Sequence, residues 1–153
     1  MEHAVRQDHA DRVPVAAPSP SIVVTRGLAG FLAMKDDWND LFERAARPHH
    51  VFQSHAFLRH WAGHYADGPA DIIIVGAWID GRLAMAWPLL ATRRLGLSVL
   101  EFMGAPTAQF FDLLVAPDAD RRGLFEAGWA AIGELGADVF VARNLKDDSA
   151  LAE

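Results

Sequence analysis

A histidine-rich stretch holds the residues whose types and spacing could most readily do chemistry. Residues 47–65, RPHHVFQSHAFLRHWAGHY, contain five of the chain's seven histidines. Imidazole can bind a metal or transfer a proton near neutral pH. His60 and His64 are four residues apart, so on a helix they would share the face that a chelating pair needs. Because HWAGH lacks the glutamate of the H-E-x-x-H zinc motif, we predict no metal site there.

The other interpretation of these histidines is that they belong to the scaffold. Residues 54–65 are predicted to form a helix capped by Ser54, with an apolar stripe centred on Phe57 and Trp61. His60 and His64 border this stripe, whereas the spacing places His55 nearly opposite to it. Four histidines on such a helix and its loop would not converge on a single ion.

Two side chains are candidates for proton transfer. His50 follows His49 in the loop before the predicted helix, where both could line a cleft. Asp112 lies in the apolar segment QFFDLLVA (109–116), and burial raises the pKa of a carboxyl group towards the range of a general base. We therefore take His50 and Asp112 as candidate catalytic residues. The alternatives are a solvated loop histidine and a satisfied structural carboxylate.

The segment DADRRG (118–123) joins a predicted strand to a predicted helix. Free N–H groups and the helix dipole attract phosphate at such a junction, so Arg121, Arg122 and Gly123 could hold a pyrophosphate. The alternative is that the two arginines only decorate the start of the helix. A calcium loop is excluded, because its twelfth position is Trp129 where a bidentate glutamate is required.

Composition narrows the class of protein. The 153 residues are 52% hydrophobic and 22% charged, which suits one globular domain. A net charge of −6 argues against a nucleic-acid partner, and the absence of cysteine excludes disulfides and thiolate chemistry. No apolar run approaches the roughly 20 residues that span a bilayer, so we predict no membrane insertion and a cytoplasmic location. Residues 1–20 lack the apolar core of a signal peptide and are predicted to be a disordered leader.

The elements that must position these residues follow from hydrophobic periodicity. Helices are predicted over 35–47, 54–65 and 118–136. Strands are predicted over 21–25, on both sides of the Asp80-Gly81 hairpin turn, and over 97–104, 109–116 and 138–145. This order indicates a mixed α/β domain over 21–145, with a mostly antiparallel sheet, one parallel crossover and flanking helices. Residues 146–153 are predicted to be a polar tail.

Three segments together resemble one family. DDWNDLFERAARPHHVFQSHAFLRHW resembles the W-x-x-L…F-Q-S…W stretch of the CelD-like acyltransferases of the GNAT superfamily. DGRLAMAWPLL is similar to their D-G-x-x-x-x-x-x-P-L segment, and FFDLLVAPD to their aromatic-D-x-L-V-x-P step. The order and spacing of these segments extend the resemblance over about residues 21–145.

The resemblance implies a FemAB-like arrangement, in which two GNAT-type folds share one chain and this sequence corresponds to the N-terminal half. Such proteins transfer an acyl group from acetyl-CoA or another acyl-CoA to an amine or hydroxyl group. They are associated with the synthesis of cellulose and other exopolysaccharides. We therefore expect a truncated sheet, incomplete at its C-terminal end. Its exposed edge would pair with a second GNAT-like domain or with another copy of the chain.

The pyrophosphate loop departs from the family pattern. GNAT proteins commonly carry [Q/R]-x-x-[G/N]-x-[G/A], and when this is aligned on Gly123 its outer positions are Asp120 and Phe125. A carboxylate facing a pyrophosphate opposes binding. Catalysis by this chain alone is therefore not expected. The alternative to an acyl-CoA-dependent N- or O-acyltransferase is a catalytically silent binding module.

Overall fold

The structure is a computed structural model that describes residues 19–65 and 71–151. The strands within these ranges are β1 (Ser21–Arg26), β2 (Ile72–Ile79), β3 (Arg82–Arg94), β4 (Leu97–Phe102), β5 (Leu114–Val115) and β6 (Val139–Val141). The α-helices are α1 (Gly27–Ala33), α2 (Lys35–Ala45), α3 (His55–Tyr65) and α4 (Arg121–Gly133), and a 3-10 helix spans Pro48–Gln53. Only the last two residues of the predicted leader, 1–20, lie within the described ranges. None of the described helices is long and apolar enough to cross a membrane.

One six-stranded sheet organises the domain. Its order is β1-β2-β3-β4-β6, and β5 pairs with β3 beside this path. The pairs β1–β2, β2–β3, β3–β4 and β3–β5 are antiparallel, whereas β4 and β6 are parallel and are connected through α4. The predicted fold class, a mixed α/β domain with a mostly antiparallel sheet flanked by helices, is therefore confirmed.

The hairpin between β2 and β3 forms as its turn residues predict. Asp80 and Gly81 have φ values of 51° and 75°, the left-handed conformation that both central residues of a type I′ turn require. Beyond the turn, the pairing shifts between Ala77 and Trp78, which is a β-bulge. The strands of this hairpin are buried over most of their length and form the centre of the core.

Helices cover both faces of the sheet. On one face, α4 lies so close to β3 that a Cβ atom on Gly128 would meet the Met85 side chain at 2.7 Å. On the other face, α1 packs against β1 through Gly30 and Thr25. Thr25 of β1 and Pro88 of β3 lie in one row across the sheet, so their side chains project from the same face. Side chains alternate along a strand, so Met85 projects from the other face. Helices α1 and α4 therefore lie on opposite faces of the sheet. The core thus fills two layers around one central sheet.

Pro88 ends the pairing between β3 and the strand beside it. Met103 donates its backbone N–H to the carbonyl of Pro88 at 3.1 Å, but Pro88 has no N–H to donate in return. The chain therefore leaves the sheet over residues 103–113 and rejoins β3 only at β5. The strand predicted over 109–116 is wrong except at Leu114 and Val115.

Helix α1 was missed because its sequence, GLAGFLA, contains two glycines that disfavour a helix. Tertiary packing stabilises it: Phe31 is fully buried, stacks on the His55 ring at 4.4 Å and meets Trp38 edge-on at 5.4 Å. The prediction that His55 points away from the apolar face of its helix is wrong. Its ring lies between α1 and α3, where Nε2 donates to the carbonyl oxygen of Phe31 at 3.1 Å.

Two glycines of α4 provide a matched test of this packing. Gly128→Ala places a methyl group 2.7 Å from the terminal carbon of the fully buried Met85, so the end of this side chain must shift within the packed core. Overpacking should exceed the gain in helix propensity and lower the free energy of unfolding by about 1 kcal/mol. Gly133→Ala meets nothing within 4 Å and should raise it by about 0.5–1 kcal/mol. Urea denaturation measures both, and equal effects would contradict the close packing of α4 on β3.

Candidate functional site

The two predicted catalytic candidates, His50 and Asp112, lie side by side. The backbone N–H of Arg47 donates to His50 Nδ1 at 3.1 Å, so this ring nitrogen carries the lone pair. The proton of the neutral ring therefore lies on Nε2, which donates to Asp112 Oδ2 at 3.2 Å. His50 and Asp112 are 5% and 2% exposed, so this histidine–carboxylate pair is closed to solvent.

Asp112 also accepts hydrogen bonds from two backbone amides. The N–H of Leu113 donates to Oδ1 at 2.8 Å, and the N–H of Ala150 donates to the same oxygen at 3.0 Å. Next to it, the N–H of Phe111 donates to the carbonyl of Asn144 at 3.3 Å. One carboxylate thus joins the 3-10 helix, the chain excursion over 103–113 and the C-terminal residues.

The predicted polar tail, 146–153, folds back over this pair as far as residue 151. Arg47 Nη1 donates to the carbonyl of Asp148 at 3.0 Å and to its carboxylate at 3.2 Å. Lys146 Nζ lies 5.4 Å from the centre of the Phe110 ring. The C-terminal residues thus contact both Arg47 and Phe110, and they cover Asp112.

A metal is poorly suited to these residues, although donor atoms of His49, His50 and Asp112 lie within 4.8 Å of one another. His49 Nε2 is buried and has no hydrogen-bond partner among the described residues, but both nitrogens of His50 are already engaged. A metal at His50 Nε2 would displace the proton that Asp112 accepts. His60 and His64 are exposed, and His64 Nδ1 bonds to the His60 carbonyl at 2.8 Å. That this chain holds no metal stays a prediction.

A cleft of about 610 Å³ lies between the β2–β3 turn, the end of α2 and the start of α4. Its volume is typical of small-molecule sites. Of the three residues predicted to hold a pyrophosphate, Gly123 lines this cleft, whereas Arg121 and Arg122 do not. The lining also contains the basic and acidic residues Arg44, Asp80, Arg82, Asp118 and Asp120.

The start of α4 is capped by its own chain. Asp120 is the N-cap residue, and its Oδ1 accepts the N–H of Gly123 at 3.1 Å. Arg122 turns away along the exposed helix surface, where its Nε donates to Glu126 at 2.9 Å. The Asp120 carboxylate therefore already accepts the Gly123 N–H, the group to which a bound phosphate would otherwise bond.

The two arginines of the cleft are both paired with one aspartate. Arg44 and Arg82 both donate to Asp40 Oδ2, each through a nitrogen 2.9 Å away. Hydrogen bonds from Arg82, and then from Arg44, lower the pKa of the Asp40 carboxyl group to about 2 despite its partial desolvation. The cleft also carries the carboxylates of Asp80, Asp118 and Asp120. Its net charge is thus unfavourable for a polyphosphate.

The predicted residues fall into two separate groups. His50 and Asp112 do not line the cleft that contains Gly123. The sequence does not predict the ionic cluster of Asp40, Arg44 and Arg82, because Arg82 lies 42 residues from Asp40 along the chain. The D-x-x-G spacing from Asp120 to Gly123 is the one local signal for the cap.

Comparison with solved structures identifies the fold. A ribosomal-protein-alanine N-acetyltransferase from Brucella melitensis biovar Abortus 2308 is 14% identical in sequence and matches with a TM-score of 0.54. The match covers 85% of this chain and 82% of that protein's chain. An aminoglycoside acetyltransferase from an uncultured soil metagenomic sample is 19% identical with a TM-score of 0.50, covering 82% and 79%. Neither the models of protein families nor the curated proteins give a match to the sequence.

Asp112→Asn tests the hydrogen-bonding role of this carboxylate. An amide group can no longer accept on both sides, so it leaves either His50 or a backbone N–H without an acceptor in a buried position. We expect the free energy of unfolding to fall by about 1–3 kcal/mol. Asp118→Asn, in the open cleft, should change it by less than about 0.5 kcal/mol. Urea denaturation measures both, and an Asp112 variant as stable as the control would contradict this role.

Two histidines make stability depend on pH. Burial lowers the pKa of His49 and His55 below the ordinary value of 6.5, and neighbouring positive charges add to this effect at both rings. The unfolded chain therefore binds more protons than the folded chain as pH falls through 6.5. The free energy of unfolding should decrease from about pH 7.5 to pH 5.5, and His49→Gln or His55→Gln should flatten this slope. A flat wild-type profile in chemical denaturation would contradict the prediction.

Both solved structures match more than four-fifths of this chain. The chain has the fold of the GNAT acetyltransferases.

Proposed function

We propose that this chain is a catalytically silent GNAT domain, the N-terminal half of a CelD-like acyltransferase that works with a second GNAT-like domain. The observation that carries the proposal is the hydrogen bond from the Gly123 N–H to the Asp120 carboxylate. In a GNAT-fold enzyme that uses acyl-CoA, this end of the helix is where the resemblance implies that the pyrophosphate binds. Here it is closed by a side chain of the same chain.

The charge of Asp120 strengthens this argument. A pyrophosphate would have to displace the carboxylate from Gly123 and then lie beside it, in a cleft that Asp118 also lines. Each charge-assisted hydrogen bond that a normal cradle supplies contributes about 1.5–3 kcal/mol. The loss of such bonds and the repulsion between like charges should both weaken the binding of coenzyme A.

The state of the candidate bases supports the same proposal. A general base must reach the proton that it removes, directly or through one water molecule. His50 and Asp112 are buried, bonded to each other and covered by the C-terminal residues. In this conformation they stabilise the domain and have no route to an acceptor amine or hydroxyl group.

The second candidate function is an active acyl-CoA-dependent N- or O-acyltransferase. The 610 Å³ cleft at the start of α4 favours it, because a ligand-sized concavity lies at the end of the helix where phosphate binds in GNAT enzymes. For either function, the resemblance to CelD-like proteins suggests a cytoplasmic role in cellulose or other exopolysaccharide synthesis. Acetyl-CoA or another acyl-CoA would then be the co-substrate of the catalytic partner domain.

Calorimetric titration with acetyl-CoA tests the proposed function. We expect a dissociation constant no better than roughly 100 μM, on the order of −5.5 kcal/mol. Removing the cap should open the site, so Asp120→Gly is expected to bind at least about tenfold more tightly. Asp118→Asn is the matched control, since it removes a cleft carboxylate and leaves the N–H of Gly123 capped.

The opposite result would support the enzyme. A low-micromolar dissociation constant for the wild-type chain, abolished by Arg121→Ala or Arg122→Ala, would overturn the proposal of a silent domain. Turnover of acetyl-CoA by the purified chain with an amine acceptor would do the same. Weak binding that Asp120→Gly does not improve would mean that the cap is not the cause.

A further inference from the structure

Two hairpin turns of the sheet share one backbone conformation but differ in their residues. Asp80 and Gly81 join β2 to β3 with φ values of 51° and 75°, and Leu95 and Gly96 join β3 to β4 with φ values of 53° and 85°. Aspartate tolerates this left-handed conformation because its short side chain bonds locally, whereas a bulky leucine is strained in it. Leu95 is also fully exposed to solvent. Neither the turn nor the core of the domain therefore explains why this residue is a leucine.

The turn at Leu95 ends a hairpin that extends past its neighbours in the sheet. β2 pairs with β3 only as far as Leu90, and β6 pairs with β4 only from Val99 onward. Among the described residues, no strand lies beside the end of this hairpin, which we call the β3–β4 tip (residues 93–97). Leu97 is 47% exposed there. The β3–β4 tip thus presents two apolar side chains to solvent at a protruding turn.

The β3–β4 tip also carries positive charge. Arg93 and Arg94 are both exposed, and the tip itself contains no acid. Arg94 is paired with Glu101, but that carboxylate is buried while 52% of the arginine side chain stays accessible. The carboxylate of Asp138 is engaged by the backbone N–H of Ser98 at 2.8 Å. The charge that the tip offers to a partner is therefore positive.

Strand β3 separates this tip from the acidic end of the domain. Its first residue, Arg82, lies in the cleft that three aspartates also line, whereas its last residue, Arg94, lies in the tip. Thirteen residues of strand span roughly 40 Å. The Debye length is about 8 Å at physiological ionic strength, so repulsion from the cleft carboxylates is screened at the tip. A negatively charged surface would therefore be met by the tip end of the domain.

We propose that the β3–β4 tip binds the surface of an anionic lipid bilayer, with Leu95 inserted between the headgroups and Arg93 and Arg94 bonded to lipid phosphates. A guanidinium group suits a phosphate because it donates two parallel hydrogen bonds. A protein partner fits less well, since a stable protein interface buries about 800 Å² on each side and a two-residue turn does not supply that area. The contact is peripheral, so the chain lies on the bilayer and does not cross it. The inference does not rest on the proposed function, because the tip and the cleft lie at opposite ends of β3.

Co-sedimentation of the full chain with lipid vesicles tests the proposal. Vesicles of about 30% phosphatidylglycerol in phosphatidylcholine should bind the chain at least about fivefold more tightly than vesicles of phosphatidylcholine alone, at about 0.1 M salt. Raising the salt to about 1 M should release most of the bound chain, because the Debye length falls to about 3 Å.

Leu95→Asn distinguishes the proposed role from a structural one. Asparagine favours the left-handed turn, so the urea midpoint of unfolding should rise. Binding to the anionic vesicles should nevertheless fall at least about tenfold, because the inserted apolar side chain is lost. Val51→Asn is the matched control: Val51 is 53% exposed in the 3-10 helix beside Asp112, and its substitution should leave binding unchanged.

A second pair of variants tests the charge. Arg93→Gln should weaken binding to the anionic vesicles about fivefold, since one contact with the charged surface is removed. Arg122→Gln removes the same charge from the exposed surface at the start of α4, beside the acidic cleft, and should leave binding unchanged. Circular dichroism checks that every variant is folded, so that unfolding does not account for a loss of binding.

The inference fails if the folded wild-type chain does not bind the anionic vesicles, and the exposed leucine would then indicate a protein partner. It also fails if Leu95→Asn binds as tightly as the wild type. Equal losses in Leu95→Asn and Val51→Asn, or in Arg93→Gln and Arg122→Gln, would show that binding does not occur through the β3–β4 tip.

Discussion

The carboxylate of Asp112 is the interaction on which the irregular part of this domain depends. A charge that is 2% exposed is costly unless it is fully hydrogen-bonded, and here His50, Leu113 and Ala150 all donate to it. The donors come from the 3-10 helix, the excursion of the chain out of the sheet and the C-terminal residues. None of these segments is held by a strand ladder, so the buried carboxylate replaces the ladder as their common anchor.

A second aspartate, Asp120, shows how environment decides what the same side chain does. It lies at the open end of α4, accepts the N–H of Gly123 and stabilises the first turn of the helix. Under the proposed function, this is also the end of the helix at which the resemblance implies that a pyrophosphate binds. The internal cap then takes the N–H group that such a ligand would use.

The two edges of the described sheet differ in their surroundings. β1 forms one edge, where Val23 and Val24 are exposed. At the other edge, Phe140 of β6 belongs to an aromatic cluster that reaches from the fully buried Trp87 to the half-exposed Trp129 of α4. This cluster joins α4 to the centre of the sheet.

The sequence by itself determined several features that depend on local pattern. The Asp80-Gly81 turn, the helices now seen as α2, α3 and α4, and the parallel step from β4 to β6 follow from periodicity, turn residues and caps. Other features needed the tertiary structure. α1 contains two glycines and forms because Phe31 is buried against His55 and Trp38. The loss of most of the strand predicted over 109–116 follows from the missing N–H of Pro88. His50 and Asp112 were both identified as candidates, but 62 residues separate them, and only the folded chain brings them together. Periodicity describes one element at a time, whereas contact between distant residues is decided by how the elements pack.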